Sequence, residues 1–215
     1  MLPTLAHAGP RADGDPWAIG PVELALQAEH DELDLEANDA IVETRIDQIG
    51  ISLREPLGQH VSGSVRAGYL DLSQDDNPAT AGMDLTGGYA GVTLEATPAI
   101  TDATGLTFGA GYTYHRAEDA LEGQETELEW HELRAWSGPR LRLGTIDLSV
   151  VAVWHYLDVE EQARGELTRD RSLEAADAVG GRLGMDWHLR PGGRIGLELE
   201  AGARQALQLE FAQWF

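Results

Sequence analysis

The sequence predicts an all-β fold, a closed antiparallel up-and-down barrel that crosses a membrane with its strands. Three observations carry this prediction. Apolar and polar residues alternate with a period of two in segments that recur about every 20 residues. The connections between segments alternate between short and long, and the aromatic residues gather at the segment ends. In a membrane barrel one strand face contacts lipid and the other faces the interior, which produces this pattern.

The composition excludes several classes of protein. The chain has 215 residues and no cysteine, which excludes disulfides, thiolate metal sites and cysteine nucleophiles. All fifteen basic residues are arginine, and the net charge is -22, so the basic footprint that nucleic-acid binding requires is missing. No apolar run approaches the roughly 18 residues of a spanning helix. A membrane protein of this composition therefore has to cross with strands.

The first four segments alternate clearly. Their apolar faces, taken segment by segment, consist of Val22, Leu24, Leu26 and Ala28; of Ile49, Ile51 and Leu53; of Val61, Val65, Ala67 and Tyr69; and of Ala90, Val92, Leu94 and Ala96. In each segment the intervening positions are polar or small. We therefore expect each segment to be a strand with one apolar face.

The later segments continue the pattern, with one exception. The apolar faces of segments five, seven and eight consist of Leu106, Phe108, Ala110, Tyr112 and Tyr114; of Ile146, Leu148, Val150, Ala152, Trp154 and Tyr156; and of Val179, Leu183, Met185, Trp187 and Leu189. Segment six, 128–141, is the least clear, because Trp130 and Trp136 share a face with Glu132 and Arg134. The last stretch, 194–215, is expected to turn near Ala203 and form two strands. Ten strands result, with eight as the alternative.

The connections have a long–short rhythm. The short turns are 55–58, 98–103, 139–144 and 191–193, and the expected acidic or polar loops are 31–39, 73–82, 117–127 and 160–175. Aromatic residues form two groups, with Tyr69, Tyr112, Tyr114, Trp154 and Tyr156 near the long loops and Trp187, Trp214 and Phe215 near the other end. Amphipathic rings favour the edges of a bilayer, so two aromatic girdles are expected.

The C-terminus resembles that of outer-membrane β-barrels. Leu207, Leu209, Phe211 and the terminal Phe215 lie on one strand face and resemble the signal that hands such barrels to their assembly machinery, although Gln213 departs from that pattern. With the alternation over 21–215, the chain resembles the small outer-membrane β-barrel proteins of Gram-negative bacteria. The resemblance implies a location in the outer membrane, both termini in the periplasm, and outer-membrane lipid, lipopolysaccharide and the barrel assembly machinery as partners. Any protein partner in the envelope stays unknown.

The domain organisation follows from this interpretation. Ala6-His7-Ala8 matches the small-x-small pattern before a signal-peptidase cut. Residues 1–8 are interpreted as a signal-peptide remnant, 9–20 as an N-terminal periplasmic segment and 21–215 as a single barrel domain. The alternative for the first residues is an ordinary flexible N-terminus.

The alternation predicts a charged lumen. Its central members are Glu23, Arg66, Glu95, Glu132, Arg134, Arg182, Asp186, Glu198 and Glu210, and the same faces hold Glu29, His115, His155, His188 and Glu200. A narrow barrel fills its interior with side chains, and buried charges pair, so a structural network is the favoured interpretation. The alternative is a constricted aqueous path whose acidic excess selects cations.

No motif predicts an enzyme, a cofactor or a metal. His115, His131 and His155 lie toward the outer half of their strands near acidic residues, but no serine stands in matching register. Ser149 and His155 are about 20 Å apart along one strand. The sequence therefore favours a non-enzymatic barrel with a largely filled lumen, serving envelope integrity or surface interaction. A narrow channel for small solutes or cations is the second hypothesis, and a rim-sited protease or lipid-modifying hydrolase is the third.

Overall fold

A computed structural model describes residues 21–37, 40–75, 77–121, 123–165, 167–189 and 192–215. The predicted signal remnant, 1–8, and the segment 9–20 lie outside these residues. The strands are β1 (Glu23–Ala37), β2 (Ala40–Pro56), β3 (Val61–Gln74), β4 (Leu85–Ala96), β5 (Thr104–Leu121), β6 (Gln124–Leu143), β7 (Ile146–Arg164), β8 (Arg169–Ala175), β9 (Val179–His188), β10 (Gly193–Ala201) and β11 (Gln205–Trp214). No helix in the described residues is long and apolar enough to cross a membrane.

The sheet closes on itself. Each strand from β1 to β7 pairs antiparallel with the next, β7 pairs with β9, and β9, β10 and β11 follow in order. β11 pairs with β1 from Trp214–Glu23 to Gln205–Glu32, which completes a ring of ten strands. The prediction of a closed up-and-down barrel is confirmed, and ten is the strand number of this ring. The end of the barrel where β1 begins and β11 ends is called the near end below, and the opposite end is the far end.

An apolar belt surrounds the ring. Each of the ten strands exposes at least one large apolar side chain on its outer surface, namely Leu26, Ile51, Val65, Val92, Phe108, Leu133, Val150, Leu183, Leu199 and Leu209. Exposing these side chains to water would be unfavourable, at about 25 cal/mol per Å². A barrel with such a belt satisfies its backbone hydrogen bonds internally and presents an apolar surface to lipid.

The aromatic girdles are present with one exception. Tyr69, Tyr112, Trp154 and Tyr156 are exposed at the edge of the belt toward the far end, and Trp187 is exposed toward the near end. Trp214 instead lines the lumen, because it shares the inward parity of Glu210 and Ala212 on β11. The prediction that placed it in the outer girdle is wrong.

Beyond the belt the alternation inverts. The strands continue past Tyr69 and Tyr156 with acidic residues outside and apolar residues inside, and we call this part the extension. Its outward acids include Glu32, Asp34, Glu36, Glu43, Asp47, Glu118, Glu125, Glu160, Asp170 and Glu174. At about 3.3 Å per residue, the stretch from Tyr156 to Arg164 adds roughly 25 Å of strand.

Three of the four predicted acidic loops are wrong, because most of their residues form strands of the extension. Residues 31–37 continue β1, residues 117–121 and 124–127 belong to β5 and β6, and most of 160–175 belongs to β7 and β8. Outward acids such as Glu32, Glu118, Glu125 and Glu160 recur in these stretches, so their composition resembles that of a solvated loop. Their inward positions nevertheless include buried apolar residues, among them Leu35, Ala117, Ala163 and Leu173, which is the pattern of a strand in a water-soluble sheet. Only 73–82 is mainly a loop, between β3 and β4.

The ring narrows where the extension begins. The β10–β11 hairpin turns at 202–204, at the level of the edge of the belt. Above it, β8 pairs with β7 over Asp158–Ala163 and with β1 at Leu35 and Glu36, so eight strands, β1 to β8, enclose the extension. Eight strands leave an interior just wide enough for side chains. The step from ten to eight strands therefore decides how the two halves of the barrel are filled.

Candidate functional site: the layered lumen

The lumen at the near end is a polar vestibule. It is a cavity of about 290 Å³ lined by charged and hydroxyl side chains. Arg194 lies at its wall and binds Glu23 at 2.7 Å, Asp186 at 2.5 Å and Glu210. Asp147 accepts hydrogen bonds from Arg142 at 2.7 and 2.8 Å. Charge pairing thus holds the wall of the vestibule together while its centre stays open.

A second charge cluster fills the middle of the barrel, and we call it the central cluster. Its members are Glu29, Asp31, Arg66, Glu132, Arg134, His155, Glu200 and Arg204. Arg204 is its hub, with Glu29 at 3.1 Å, Asp31 at 3.2 Å and Glu200 at 3.3 Å. Buried charges are tolerated only when they are paired and hydrogen-bonded. The cluster therefore separates the vestibule from the far half.

An apolar plug occupies the lumen above the central cluster. It consists of Leu35, Val42, Ile46, Leu70, Leu72, Met83, Leu85, Tyr89, Ala117, Leu128, Trp130, Leu157, Val159 and Leu173. Leu70, Leu85 and Leu173 have no exposed surface. The interior of the extension is thus filled with close-packed apolar side chains.

The β3–β4 connection covers the plug, and we call residues 77–84 the lid loop. Asn77 and Thr80 are buried in the far mouth of the barrel. Thr126 donates a hydrogen bond to the carbonyl of Ala79 at 2.8 Å, and Asn77 donates one to Glu161 at 2.7 Å. The lid loop is thus bound to β6 and β7 on the opposite wall of the mouth.

Glu161 fastens the lid loop. Its carboxylate is fully buried and accepts two hydrogen bonds from Arg171, both at 2.9 Å, and one from Arg169 at 2.8 Å. Burial alone would raise the pKa of Glu161. Hydrogen bonds from Arg171, Asn77 and Arg169 outweigh burial and hold that pKa below its ordinary value. The group lies in the extension, beyond the belt.

The structure places the predicted lumen charges on the inner surface but divides them between two layers. Glu23, Glu95, Arg182, Asp186, Glu198 and Glu210 line the vestibule. Glu132 belongs to the central cluster, and Arg66 and Arg134 reach both layers. Arg182 binds Glu198 at 3.0 Å and stacks on Trp136, with 4.8 Å from guanidinium to ring centre. Glu95 makes no ion pair with another described residue.

The sequence did not predict several residues of these networks, including Asp147 and Arg171. Arg194 and Arg204 stand at turns, and Asp31 and Glu161 stand in stretches interpreted as loops. Their inward direction follows from strand parity only once the strands are known to extend that far. For Arg194 the signal was available, since it has the inward parity of Glu198 on the same strand.

Each of the three candidate histidines contacts side chains of neighbouring strands. His155 faces Glu200 through Nε2 at 2.5 Å and Glu132 through Nδ1 at 3.4 Å, so each ring nitrogen lies beside a carboxylate. His115 stacks on Trp130 at 4.5 Å between ring centres. His131 lies outside the barrel, where its Nδ1 is 2.6 Å from the hydroxyl of Tyr112. A general base needs a free ring nitrogen facing a substrate, which this arrangement does not offer for His155.

The C-terminal residues form one outward row. Leu207, Leu209 and Phe211 are exposed on β11, and Phe215 continues the row with 77% of its surface exposed. The backbone of Phe215 still exchanges hydrogen bonds with Val22, at 3.0 and 3.3 Å. Their role as an assembly signal stays a prediction.

The fold is shared with solved membrane barrels. The translocator domain of the autotransporter NalP from Neisseria meningitidis superimposes with a TM-score of 0.56 at 12% identity, over 94% of this chain and 91% of that chain. The fold is that of an outer-membrane β-barrel. Two further solved structures have TM-scores below 0.5. They are the transport unit of the autotransporter AIDA-I (0.47, 14% identity, 94% of this chain and 92% of that one) and the outer membrane protease OmpT (0.46, 7% identity, 90% and 94%), both from Escherichia coli.

At these identities the likeness concerns the fold alone. No protein-family model and no curated protein matches the sequence. The resemblance to small outer-membrane β-barrels is confirmed in the fold, and the belt supports the predicted location in the outer membrane of a Gram-negative bacterium. Strand ends that carry both termini face the periplasm in such barrels. A periplasmic near end, with the extension outside the cell, stays a prediction.

Proposed function

We propose that this protein is a closed, non-conducting outer-membrane barrel whose extension serves envelope integrity or surface interaction outside the cell. The single observation that supports this proposal is the apolar plug under the lid loop. A blind vestibule on the periplasmic side cannot pass solute through dry, close-packed side chains. What remains available to partners is the acidic outer surface of the extension.

Conductance tests this proposal. Refolded protein, whose folded state is checked by its gel mobility without boiling, is placed in a planar bilayer. The wild type is expected to stay silent. A variant in which residues 77–82 are replaced by a glycine–serine linker, together with Leu70→Ala and Leu85→Ala, is expected to give salt-dependent openings. Steady openings of the wild type would favour the narrow cation channel and overturn the proposal.

A non-enzymatic role is part of the proposal. It is supported by His155, both of whose ring nitrogens face carboxylates, and by His115, which stacks on Trp130. We expect no turnover of peptide or lipid A substrates by the refolded protein. Turnover that disappears in His155→Ala but persists in His188→Ala would contradict this expectation and establish the hydrolase hypothesis.

The proposed partners are outer-membrane lipid and lipopolysaccharide at the belt, and the assembly machinery at β11. We expect deletion of Phe215 to reduce the amount of barrel inserted in cells without lowering the stability of barrel refolded in vitro. The control is Ser73→Ala, a substitution on the outward face of the extension. A deletion at Ser73 would shift the register of the strand and is therefore not used. Unchanged insertion of the Phe215 deletion would remove the assembly role.

A further inference from the structure

The step from ten to eight strands leaves a notch in the barrel wall. The notch lies between the β10–β11 turn below and residues 176–178 above, where β8 crosses over toward β1. Its outer part is a groove of about 280 Å³ that reaches Ala203 and Arg204. Behind it lies a small cavity of about 30 Å³, which also contacts Asp177, Ala203 and Arg204. The groove and the cavity thus share one wall.

The cavity is lined by unsatisfied acceptors. Asp31 Oδ1, Gln48 Oε1 and His115 Nδ1 are buried without a hydrogen-bond partner among the described residues. Arg204 Nη1 lies 3.2 Å from Asp31 Oδ1 as an ion pair, but not in hydrogen-bond geometry. The side chains of Asp31 and His115 are 1% exposed and that of Gln48 is 8% exposed. Buried polar atoms normally have partners, so three orphans around one cavity indicate a missing hydrogen-bond donor.

The charge around the cavity favours a cation. The four carboxylates Glu29, Asp31, Glu132 and Glu200 face three guanidinium groups, those of Arg66, Arg134 and Arg204, and the imidazole of His155, so these eight groups balance at most one to one. Asp177 adds a further carboxylate at the shared wall. The surroundings of the cavity therefore carry a negative excess, which a small cation with several donor hydrogens would neutralise.

The outer groove carries the same sign of charge at the edge of the belt. Glu32, Asp34, Glu43 and Asp177 line it, with Arg45 as the opposing cation beside Glu32 at 3.6 Å. Below the turn, Leu199 and Leu207 are paired neighbours that are 47% and 46% exposed in the belt. The entrance is thus acidic above and apolar below.

We propose that the notch binds a primary ammonium group. The cavity has room for one group of the size of water, and an ammonium group carries three donor hydrogens, one for each of the three orphan atoms. Among the described residues no three His, Asp or Glu side chains converge as metal ligands would, which favours an ammonium group over a metal ion. The carrier is either a small soluble amine or an amphiphile whose chain lies along Leu199 and Leu207. This binding site is independent of whether the lumen conducts.

Thermal unfolding of the full chain in phosphatidylcholine vesicles tests the proposal. A ligand that binds only the folded state raises the unfolding midpoint. Ethylammonium chloride is expected to raise it, whereas tetramethylammonium chloride at equal concentration, which carries the same charge without a donor hydrogen, is expected not to. In Gln48→Leu the half-saturating ethylammonium concentration is expected to rise about tenfold, since one hydrogen bond to a charged donor is lost.

Gln208→Leu is the matched control, because Gln208 lines the vestibule and not the cavity. Asp31→Asn serves as the second variant if Gln48→Leu fails to fold. Tighter binding of dodecylammonium than of ethylammonium, lost in Gln48→Leu, would identify an amphiphile as the carrier, and equal binding would identify a soluble amine. Equal shifts with tetramethylammonium, no shift with either, or equal behaviour of the two glutamine variants would overturn the proposal and leave a cavity that holds water only.

Discussion

Single charged residues decide how tightly the far end of this barrel is closed. Glu161, in the extension, gathers Arg169, Arg171 and Asn77 around a carboxylate that has no exposed surface. Removing one partner of such a buried set lowers the free energy of unfolding more than replacing the whole set by apolar residues does. The reason is that the remaining charges stay buried without a partner. Glu161 therefore holds the lid loop together with the hydrogen bond from Thr126 to Ala79.

Glu161→Gln is expected to lower the free energy of unfolding by about 3 kcal/mol, since two guanidinium groups lose their counter-charge. Chemical unfolding followed by gel mobility measures the change. Glu160→Gln is the control, because Glu160 is the exposed neighbour on the same strand and its change is expected to stay within about 0.5 kcal/mol. Equal effects of the two variants would mean that the lid loop is held by the plug alone.

The same carboxylate predicts a dependence on pH. Because the pKa of Glu161 is lower in the folded than in the unfolded protein, its contribution is complete above the ordinary glutamate pKa and is lost as the pH falls through the lowered folded value. Cleavage of the lid loop by an acid-active protease is therefore expected to increase below the ordinary glutamate range. In Glu161→Gln the lid loop is expected to be cleaved at neutral pH as well.

For single residues, the sequence predicts whether a side chain points into the barrel better than it predicts which residue that side chain pairs with. Strand parity gave the inward direction of Glu23, Arg66 and Glu132. It could not give the partners, because these depend on the stagger between strands far apart in the chain. Arg204 was missed for a related reason. It lies in the turn between β10 and β11, where the alternation of a strand does not indicate the direction of a side chain.

Among the elements, β8 is the one that the sequence did not reveal. It has only seven residues, of which only Leu173 and Ala175 are apolar, and it pairs with β1 at just two positions. Short strands with outward charges resemble loops in composition, and their pairing depends on where the preceding hairpin ends. The belt parts of the other ten strands were predicted, but the short turn expected at 139–144 is wrong, because β6 continues to Leu143 and β7 begins at Ile146.

The seam between β8 and β1 can be tested with cysteines, since the natural chain has none. Glu36 and Glu174 are direct partners on the outer surface. Partner positions in an antiparallel pair lie within about 5.5 Å between Cα atoms, a distance that a disulfide spans. Glu36→Cys with Glu174→Cys is expected to crosslink under mild oxidation of the folded protein. Glu36→Cys with Asp170→Cys, four residues away along β8, is expected not to crosslink, and the reverse result would disprove the eight-strand extension.

Over the whole molecule, the belt has the residue pattern of a surface that contacts lipid, and the extension has the pattern of a surface that contacts water. In the belt, apolar residues face outward and charges face inward, and in the extension the arrangement is reversed. Window averages of hydropathy cannot detect this change, because the composition of each strand stays mixed throughout. Following the parity of one strand, such as β5 from Phe108 to Ala117, does reveal it.

The position of the bilayer predicts how outward substitutions behave. Val92→Arg, in the belt on β4, is expected to cost about 2–4 kcal/mol for folding into vesicles, whereas Thr86→Arg, on the same face of the same strand but in the extension, is expected to cost about 1 kcal/mol or less. Folding yield in lipid against urea concentration gives both values. Equal costs would show that the belt is not the lipid contact.

We expect the acidic extension also to make insertion a one-way event. During assembly, hairpins bearing Glu36, Glu118, Glu125 and Asp170 must be carried through the hydrocarbon layer before they fold into their eight-stranded cap. Once the cap has packed around its apolar interior, a return would require unpacking it and drawing every carboxylate back across the lipid. The barrel is thereby anchored in one orientation for its lifetime, by charge and shape rather than by any covalent tie.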